Sequence, residues 1–435
     1  MLAWVILILF ASTYAFLCLG RRYKARGVWT GIILMLVARA LFPEQDPAGA
    51  MTLPAVFTQA ISWNVLGVLA GAMLIADLFL ESGVPVLLAD HLAERCRSTH
   101  WALLGVCAFA GAVSAFVDNV TTVLLVTPIA LAIVRRTGVS PVPLMVGIAV
   151  SANLQGAATL VGDPPSMLMA GYLRMGFNDF FVYQGRPSIF FAIQVGAVAG
   201  FAVLYWCFRE YRAPMAPVEV AAPRTWVPVG LILLMIAFLA STSRFDPGFI
   251  WLAGTGNVIL GTLAFLWYWR RFPKDAATLL KRYNYNTIVF LAGIFVLAYA
   301  MDCSGWVRAI ADGIAGAVGR SPFLAYTLIV WVSVLVSAFV DNIAYVALML
   351  PVTSMLEASV GGSGFLYASG LLIGACLGGN ITPIGASCNV VACGVLHREG
   401  HPVTFWQFAR IGLPFTLAAT LFGYLFVWLV WGATP

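Results

Sequence analysis

The heptapeptide VSAFVDN occurs twice, at Val113–Asn119 and at Val336–Asn342, each time midway along an apolar stretch of about 35 residues. The offset of 223 holds without gaps through Pro128 and Pro351, Thr159 and Thr382, Gly162 and Gly385, and Gly171 and Gly394. Upstream it is 222, aligning Leu69–Gly71 with Leu291–Gly293 and Ser82-Gly83 with Ser304-Gly305. Roughly 110 residues of each half therefore follow one plan, and a chain built this way must fold as two related units. Polar residues in register are hard to reach by apolar composition alone.

The composition decides where these units reside. Of 435 residues, 61% are apolar and only 10% charged, and no soluble fold of this size hides that much apolar surface. Stretches of about 20 apolar residues recur along the whole length, each able to cross a bilayer core of roughly 30 Å. The weak alternation of a membrane barrel is absent. The expected fold is an all-α polytopic membrane protein of about ten full spans and two re-entrant hairpins. The first repeat occupies residues 1–208, a cytoplasmic linker 209–226 and the second repeat 227–435. Met1–Gly20 lacks a basic leader and reads as a retained span.

In the first half, spans are expected near 2–19, 28–43, 61–80 and 187–208, an amphipathic piece at 84–97, a hairpin at 101–134 and a broken helix at 143–173. The second half repeats the series at 227–243, 249–269, 286–302, 305–319, 323–356, 363–396 and 411–432. The charge excess, 24 Lys+Arg over 18 Asp+Glu, sits in loops and reports topology, not a nucleic-acid surface. Arg21, Arg22, Lys24 and Arg26 put the first loop inside, and Glu44 and Asp46 put the next outside. With 101–134 entering and leaving on one side, Arg95, Arg97, Arg135, Arg136, Arg209, Arg212, Arg224, Arg270, Arg271, Lys274, Lys281 and Arg282 all fall inside. The repeats are then inverted and both termini lie outside, in a cell inner (plasma) membrane. Inverted repeats with broken helices are the mark of secondary transporters, with the site where the repeats meet.

Asp118-Asn119 and Asp341-Asn342 fall at the hairpin tips. Capping of the following helix accounts for a polar residue there; duplicated carboxylates at lipid depth point further, to a functional site. The second constellation is SANLQGAATLVGDPPS at 151–166 and its partner GACLGGNITPIGASCN at 374–389. Gly and Pro break each helix near its middle, freeing carbonyls and presenting half-helix N-termini of partial positive charge. Asn153, Thr159 and Asp163 gather at one break, and Asn380, Thr382, Ser387 and Asn389 at the other.

The four segments 101–134, 143–173, 323–356 and 363–396 hold Asp118, Asp163 and Asp341 but no Lys or Arg. Neighbouring carboxylates repel by several kcal/mol even at an effective dielectric near 20, so the group shares protons or binds a cation. A cation, a proton or a small neutral solute suits it better than a dianion. Na⁺ is a candidate ligand at Asp118, Asn119, Asp341 and Asn342, and no other cofactor is expected. Asp163 has Ala386 opposite it, which suggests that one half handles the coupling ion. The eight Cys, among them Cys376 and Cys388 beside the second break, read as packed thiols; the four His read as interfacial. Asp77, Glu81 and Asp302 read as span-end residues. Signatures for ATP drive and for the common hydrolases are missing, so no enzyme is expected.

The segments FVDNVTTVLLVTPI (116–129), ATLVGDPPSML (158–168) and GACLGGNITPIGASCNVV (374–391) resemble those of the ion-transporter superfamily. That group holds arsenite permeases, sodium–proton antiporters, the melanosomal P protein and, more remotely, divalent-anion–sodium symporters; the P protein-like branch is nearest by pattern. The resemblance covers both repeat cores and implies an elevator-type carrier, usually a homodimer, with its site at hairpin tips and broken helices. Where anion symporters carry Ser-Asn-Thr, this chain has Asp118-Asn119-Val120 and Asp341-Asn342-Ile343. The expected cargo is a small inorganic species, Na⁺ or arsenite/antimonite, exchanged for protons. A sodium-coupled di- or tricarboxylate symporter and a passive ion channel are the alternatives.

Overall fold

The structure, a computed structural model, describes residues 1–19, 24–42, 52–96, 98–212 and 222–432. Arg21, Arg22, Glu44, Asp46, Arg97 and linker residues 213–221 lie outside the described residues.

The first half runs α1 (Leu2–Leu19), α2 (Lys24–Leu41), a single turn α3 (Leu53–Ala55) prolonged by a π-helical stretch Val56–Ala60, α4 (Trp63–Glu81) and α5 (Val84–Arg95). Then come α6 (Thr99–Ser114), α7 (Asn119–Thr137), α8 (Pro141–Gly156), α9 (Pro164–Leu173) and α10 (Ile189–Phe208). The second half repeats this series as α11 (Val227–Phe245), α12 (Leu252–Arg271), α13 (Pro273–Arg282), α14 (Tyr285–Cys303) and α15 (Trp306–Val318). It closes with α16 (Pro322–Ser337), α17 (Asn342–Val360), α18 (Gly364–Gly378), α19 (Ser387–Arg398) and α20 (Phe405–Trp431). Eight helical stretches among the described residues are long and apolar enough to cross a bilayer. The molecule is an all-α polytopic membrane protein. The elements with no forecast in the sequence are short: α3 with its π-helical stretch, a 3-10 turn at Phe177–Phe180, the helix α13, and a β-hairpin pairing Val182–Tyr183 with Arg186–Pro187.

Helix lengths explain the two hairpins. At 1.5 Å per residue, the 16-residue arms α6 and α16 reach about 24 Å, short of a bilayer core of about 30 Å. Each therefore turns before crossing, through Ala115–Asp118 and Ala338–Asp341, and returns as a 19-residue arm, α7 or α17.

Contacts along α10 and α20 show that the hairpins enter from opposite ends. These helices pack antiparallel: a Cβ on Gly196 would meet the Ala419 carbonyl, and one on Gly200 would meet Phe415. The first hairpin starts beside the end of α10, where the His100 N–H donates to the Tyr211 carbonyl at 2.8 Å. The second starts beside the end of α20, where Phe323 meets Trp428 edge-on at 4.8 Å and the Tyr326 hydroxyl donates to the Tyr424 carbonyl at 3.0 Å. The repeats are inverted.

The same reasoning collects the basic residues. Asn178 Nδ2, just before α10, donates to the Ala240 carbonyl late in α11 at 2.9 Å. The start of α11 therefore lies at the end of α10. There Arg224 bonds the Ser82 carbonyl through its backbone N–H at 2.8 Å and pairs with Asp275 at 3.2 Å, while Arg282 approaches Glu81 at 3.9 Å. Arg135, where the first hairpin returns, pairs with Glu399 at 3.2 Å. One end of the molecule is basic, as the charge bias requires. Such exposed pairs contribute roughly 0–1 kcal/mol each and mark a face more than they stabilise it.

The outer helices exchange between halves: α2 packs on α14 and α12 on α4. The α4–α12 crossing is close because Gly67 lies against Gly254 and Gly71 against Asn257, where a Cβ would come within 3 Å of the facing backbone.

Candidate functional site

The broken helices cross at the centre of the molecule. α8 packs against α18 and α19, and α9 against α17 and α18, so each half-helix beyond a break leans on the other repeat. Nearly every residue of α8 and every residue of α18 is buried, and the polar groups there must find partners inside the protein.

A buried polar chain provides them. Ser114 Oγ donates to Asn119 Oδ1 at 2.8 Å, and Asn119 Nδ2 donates to Asn153 Oδ1 at 3.1 Å. Asn153 Nδ2 donates to Asn380 Oδ1 at 2.9 Å and to the Cys376 carbonyl at 2.7 Å. Asn380 Nδ2 completes the chain on the Val150 carbonyl at 3.3 Å. This chain links the first hairpin tip to both breaks, and so joins the repeats.

Each break is tied to its own hairpin tip in the same way. Thr159 Oγ1 donates to the Ala115 carbonyl, and its repeat mate Thr382 Oγ1 to the Ala338 carbonyl. Gly162 and its mate Gly385 let the backbone segments approach: a Cβ on Gly162 would stand 2.5 Å from the Gly156 carbonyl oxygen and 2.8 Å from that of Ser114. On Gly385 it would stand 2.6 Å from the Gly379 carbonyl oxygen and 2.9 Å from that of Ala338. Asn389 is committed to the second break, donating to the Gly379 and Thr382 carbonyls at 2.9 Å each.

Both tip aspartates cap the returning helix. Asp118 Oδ2 accepts from the backbone N–H groups of Val120 and Thr121 at 3.1 Å each and from Thr121 Oγ1 at 3.2 Å. Asp341 Oδ1 accepts from the Ile343 N–H at 3.1 Å. Their other surroundings differ. Asp118 borders a cavity of about 510 Å³ that it shares with Thr121, Asp77, Glu81, Arg282 and Asn284, running to the basic end. Asp341 borders a cavity of about 220 Å³ with Ser387, Ala386 and Lys24, and its Oδ2 is paired with the Lys24 ammonium. Asn342 is buried beside it.

Asp163 is the third carboxylate. It sits at the start of α9, 4% exposed, facing the Asn119 side chain and near Asp118 and Asp341. Among the described residues its Oδ2 has no hydrogen-bond partner, nor do Ser151 Oγ and Ser166 Oγ.

Two readings of the sequence need correction. Lys24 reads as a loop cation, yet it pairs with Asp341, so the acidic group has a fixed positive partner that no segment scan could find. The cause is tertiary: α2 belongs to the first repeat but packs on the second. Asp77 reads as a span-end residue, yet it lines the cavity of Asp118 a full turn inside α4. Its repeat mate, Tyr299, lines the corresponding cleft of about 580 Å³ with Asp302 and Pro351 on the other side. Cys376 and Cys388 are buried free thiols, and Cys388 Sγ makes weak contacts to Asn389 Oδ1 at 3.5 Å and to the Ala149 carbonyl at 3.8 Å.

Comparison with known proteins agrees with this architecture. A family model described as CitMHS, citrate transporter, matches residues 7–371. The uncharacterized transporter Rv2685 of Mycobacterium tuberculosis is 31% identical over 387 residues, covering 85% of this chain and 86% of that protein. The P protein of Mus musculus is 28% identical over 496 residues, covering 91% of this chain and 58% of that protein. Among solved structures, the YdaH transporter of Alcanivorax borkumensis shares the fold with a TM-score of 0.59 at 15% identity, covering 87% of this chain and 90% of that one. MtrF of Neisseria gonorrhoeae aligns with a TM-score of 0.54 at 12% identity, over 92% and 85% of the two chains. Two inverted repeats, paired hairpin tips and crossed broken helices are thus found in a membrane transporter that belongs to the CitMHS citrate transporter family.

Proposed function

We propose that the protein is an ion-coupled secondary active carrier that binds its coupling cation at Asp118, Asn119 and Asp163. One observation carries this reading: the Asp163 carboxylate is buried with one oxygen that has no hydrogen-bond partner among the described residues, within the electrostatic reach of Asp118, at the meeting of a hairpin tip and a half-helix. A buried charge without a partner costs several kcal/mol. A cation or a proton arriving from the cavity at Asp118 removes that cost, which gives the site differential affinity for an ion. Asn153, Thr159, Asn380, Thr382, Ser387 and Asn389 shape the remainder, together with Asp341 and Asn342. The cargo is a small inorganic ion or hydroxylated solute, Na⁺ or arsenite/antimonite, moved in exchange for protons. The protein works in a cell inner membrane as a homodimer with its termini outside. The hairpins and broken helices move as a unit against the outer helices.

A second reading, sodium-coupled symport of an organic anion, is favoured by Lys24. With that ammonium beside Asp341 the core contains a fixed positive charge, and the matching family is described as citrate transporters.

Proteoliposomes separate the two. Flux of Na⁺, arsenite and citrate is followed under imposed pH and Na⁺ gradients. The first reading predicts saturable Na⁺ or arsenite movement driven by the pH gradient and abolished by Asp163→Asn. Citrate uptake that requires Na⁺, with no arsenite or Na⁺/H⁺ exchange, establishes the second. Unsaturable current without gradient coupling rejects both in favour of a channel.

A further inference from the structure

The two tips are chemical opposites despite identical sequence. Among the described residues no Lys or Arg is ion-paired with Asp118, whereas Asp341 is held by Lys24. Lys24 opens α2, so its charge sits at the positive end of its own helix, an unfavourable place that the carboxylate of another repeat offsets. The pair is partly accessible, with side chains 25% and 12% exposed, and it faces the cavity lined by Leu17, Ala386 and Ser387 at the start of α19. An alternative seat for the ammonium lies nearby: Nζ is 5.7 Å from the centroid of the Phe290 ring on α14, within cation–π range. One further bond joins α1 to this hairpin, from the Tyr14 hydroxyl to the Ala344 carbonyl.

We propose that Lys24 is a tethered counter-cation that occupies Asp341 until a mobile cation displaces it, and that displacement frees the second hairpin from α1 and α2. This rests on the reading of the tip aspartates as cation sites. The lysine stays charged throughout; it moves from the carboxylate toward Phe290 as the incoming cation takes its place. The second tip thereby resists cations that bind Asp341 less well than a built-in ammonium does. Among the described residues no cation is seated on the first tip, since Arg282, which shares its cavity, lies against Glu81.

The test is Na⁺ titration of the purified full-length protein, read by intrinsic tryptophan fluorescence and by the Na⁺ dependence of thermal stability. Lys24→Met removes the competitor and is expected to tighten Na⁺ binding about tenfold, the scale of one charge pair about 4 Å apart at a well-solvated site with an effective dielectric near 60. Lys24→Arg keeps the charge and is expected to stay close to wild type. Equal Na⁺ affinity in wild type and Lys24→Met, with loss in Asp118→Asn, overturns the role of Lys24 while leaving the cation site intact. Absence of any Na⁺ response in all variants overturns both. Should Lys24→Met fail to fold, the exchanged pair Lys24→Asp/Asp341→Lys decides. A folded protein with weakened Na⁺ response and slowed flux supports the proposal, and full recovery of both shows that the pair is only a structural tie.

Discussion

Asp163 and Asp246 are both shielded from solvent, and their different partners give them different work. Asp246 lies between α11 and α12, outside the spans, and receives the backbone N–H groups of Ile250, Trp251 and Leu252 at 2.9–3.1 Å. Burial would raise its carboxyl, but these three donors outweigh it and hold the group below the usual carboxylate range. A lowered folded value contributes stability above the unfolded pKa and loses it as pH falls through the folded one. Asp246→Asn is therefore expected to lower the thermal midpoint at pH 7. The gap to wild type should shrink below about pH 4, the range in which an unfolded Asp protonates. Thermal melts of both proteins between pH 3 and 7 check this. Asp163 has no such donors for Oδ2, which is why it is assigned to an ion and not to the scaffold.

At the level of elements, glycine separates packing from propensity. Gly162 sits where the first break presses on its hairpin tip, and a methyl there would overlap the Gly156 carbonyl. Gly162→Ala is expected to abolish monodisperse protein or transport. Gly313 lies inside α15, and among the described residues nothing outside that helix comes within 4 Å of where a methyl would stand. There Ala is the better helix former by about 1 kcal/mol, so Gly313→Ala is expected to be neutral or slightly stabilising. Size-exclusion profiles and melts of the two variants read the contrast. These breaks were legible in the sequence because Gly and Pro interrupt an apolar run at two positions 223 residues apart. The hairpins were legible for a similar reason, since a doubled Asp-Asn at mid-stretch has no place in a plain span. The helix α13 and the β-hairpin at 182–187 were not, because short polar segments between spans carry no strong period.

For the whole molecule, the inverted arrangement was readable from charge bias and repeat register, and the contacts of α10 with α20 give it form. The pairing of α2 with α14 was not readable, and with it went Lys24 as a neighbour of the second tip. Nothing local in Lys24-Ala-Arg26 distinguishes a loop cation from one that reaches into another repeat; only the packing of the outer helices does so. The same exchange of outer helices means that the halves, though repeats of each other, share one core.

The central claim is that two acidic hairpins enter from opposite faces, and sided thiol labelling tests it most directly. Arg136 and Ser359 are repeat mates at the exposed ends of α7 and α17. Each is replaced by Cys in a background without native thiols and exposed, in sealed vesicles of known orientation, to a membrane-impermeant maleimide. The account predicts that Arg136→Cys reacts only from one side and Ser359→Cys only from the other. Labelling of both from a single side would contradict it.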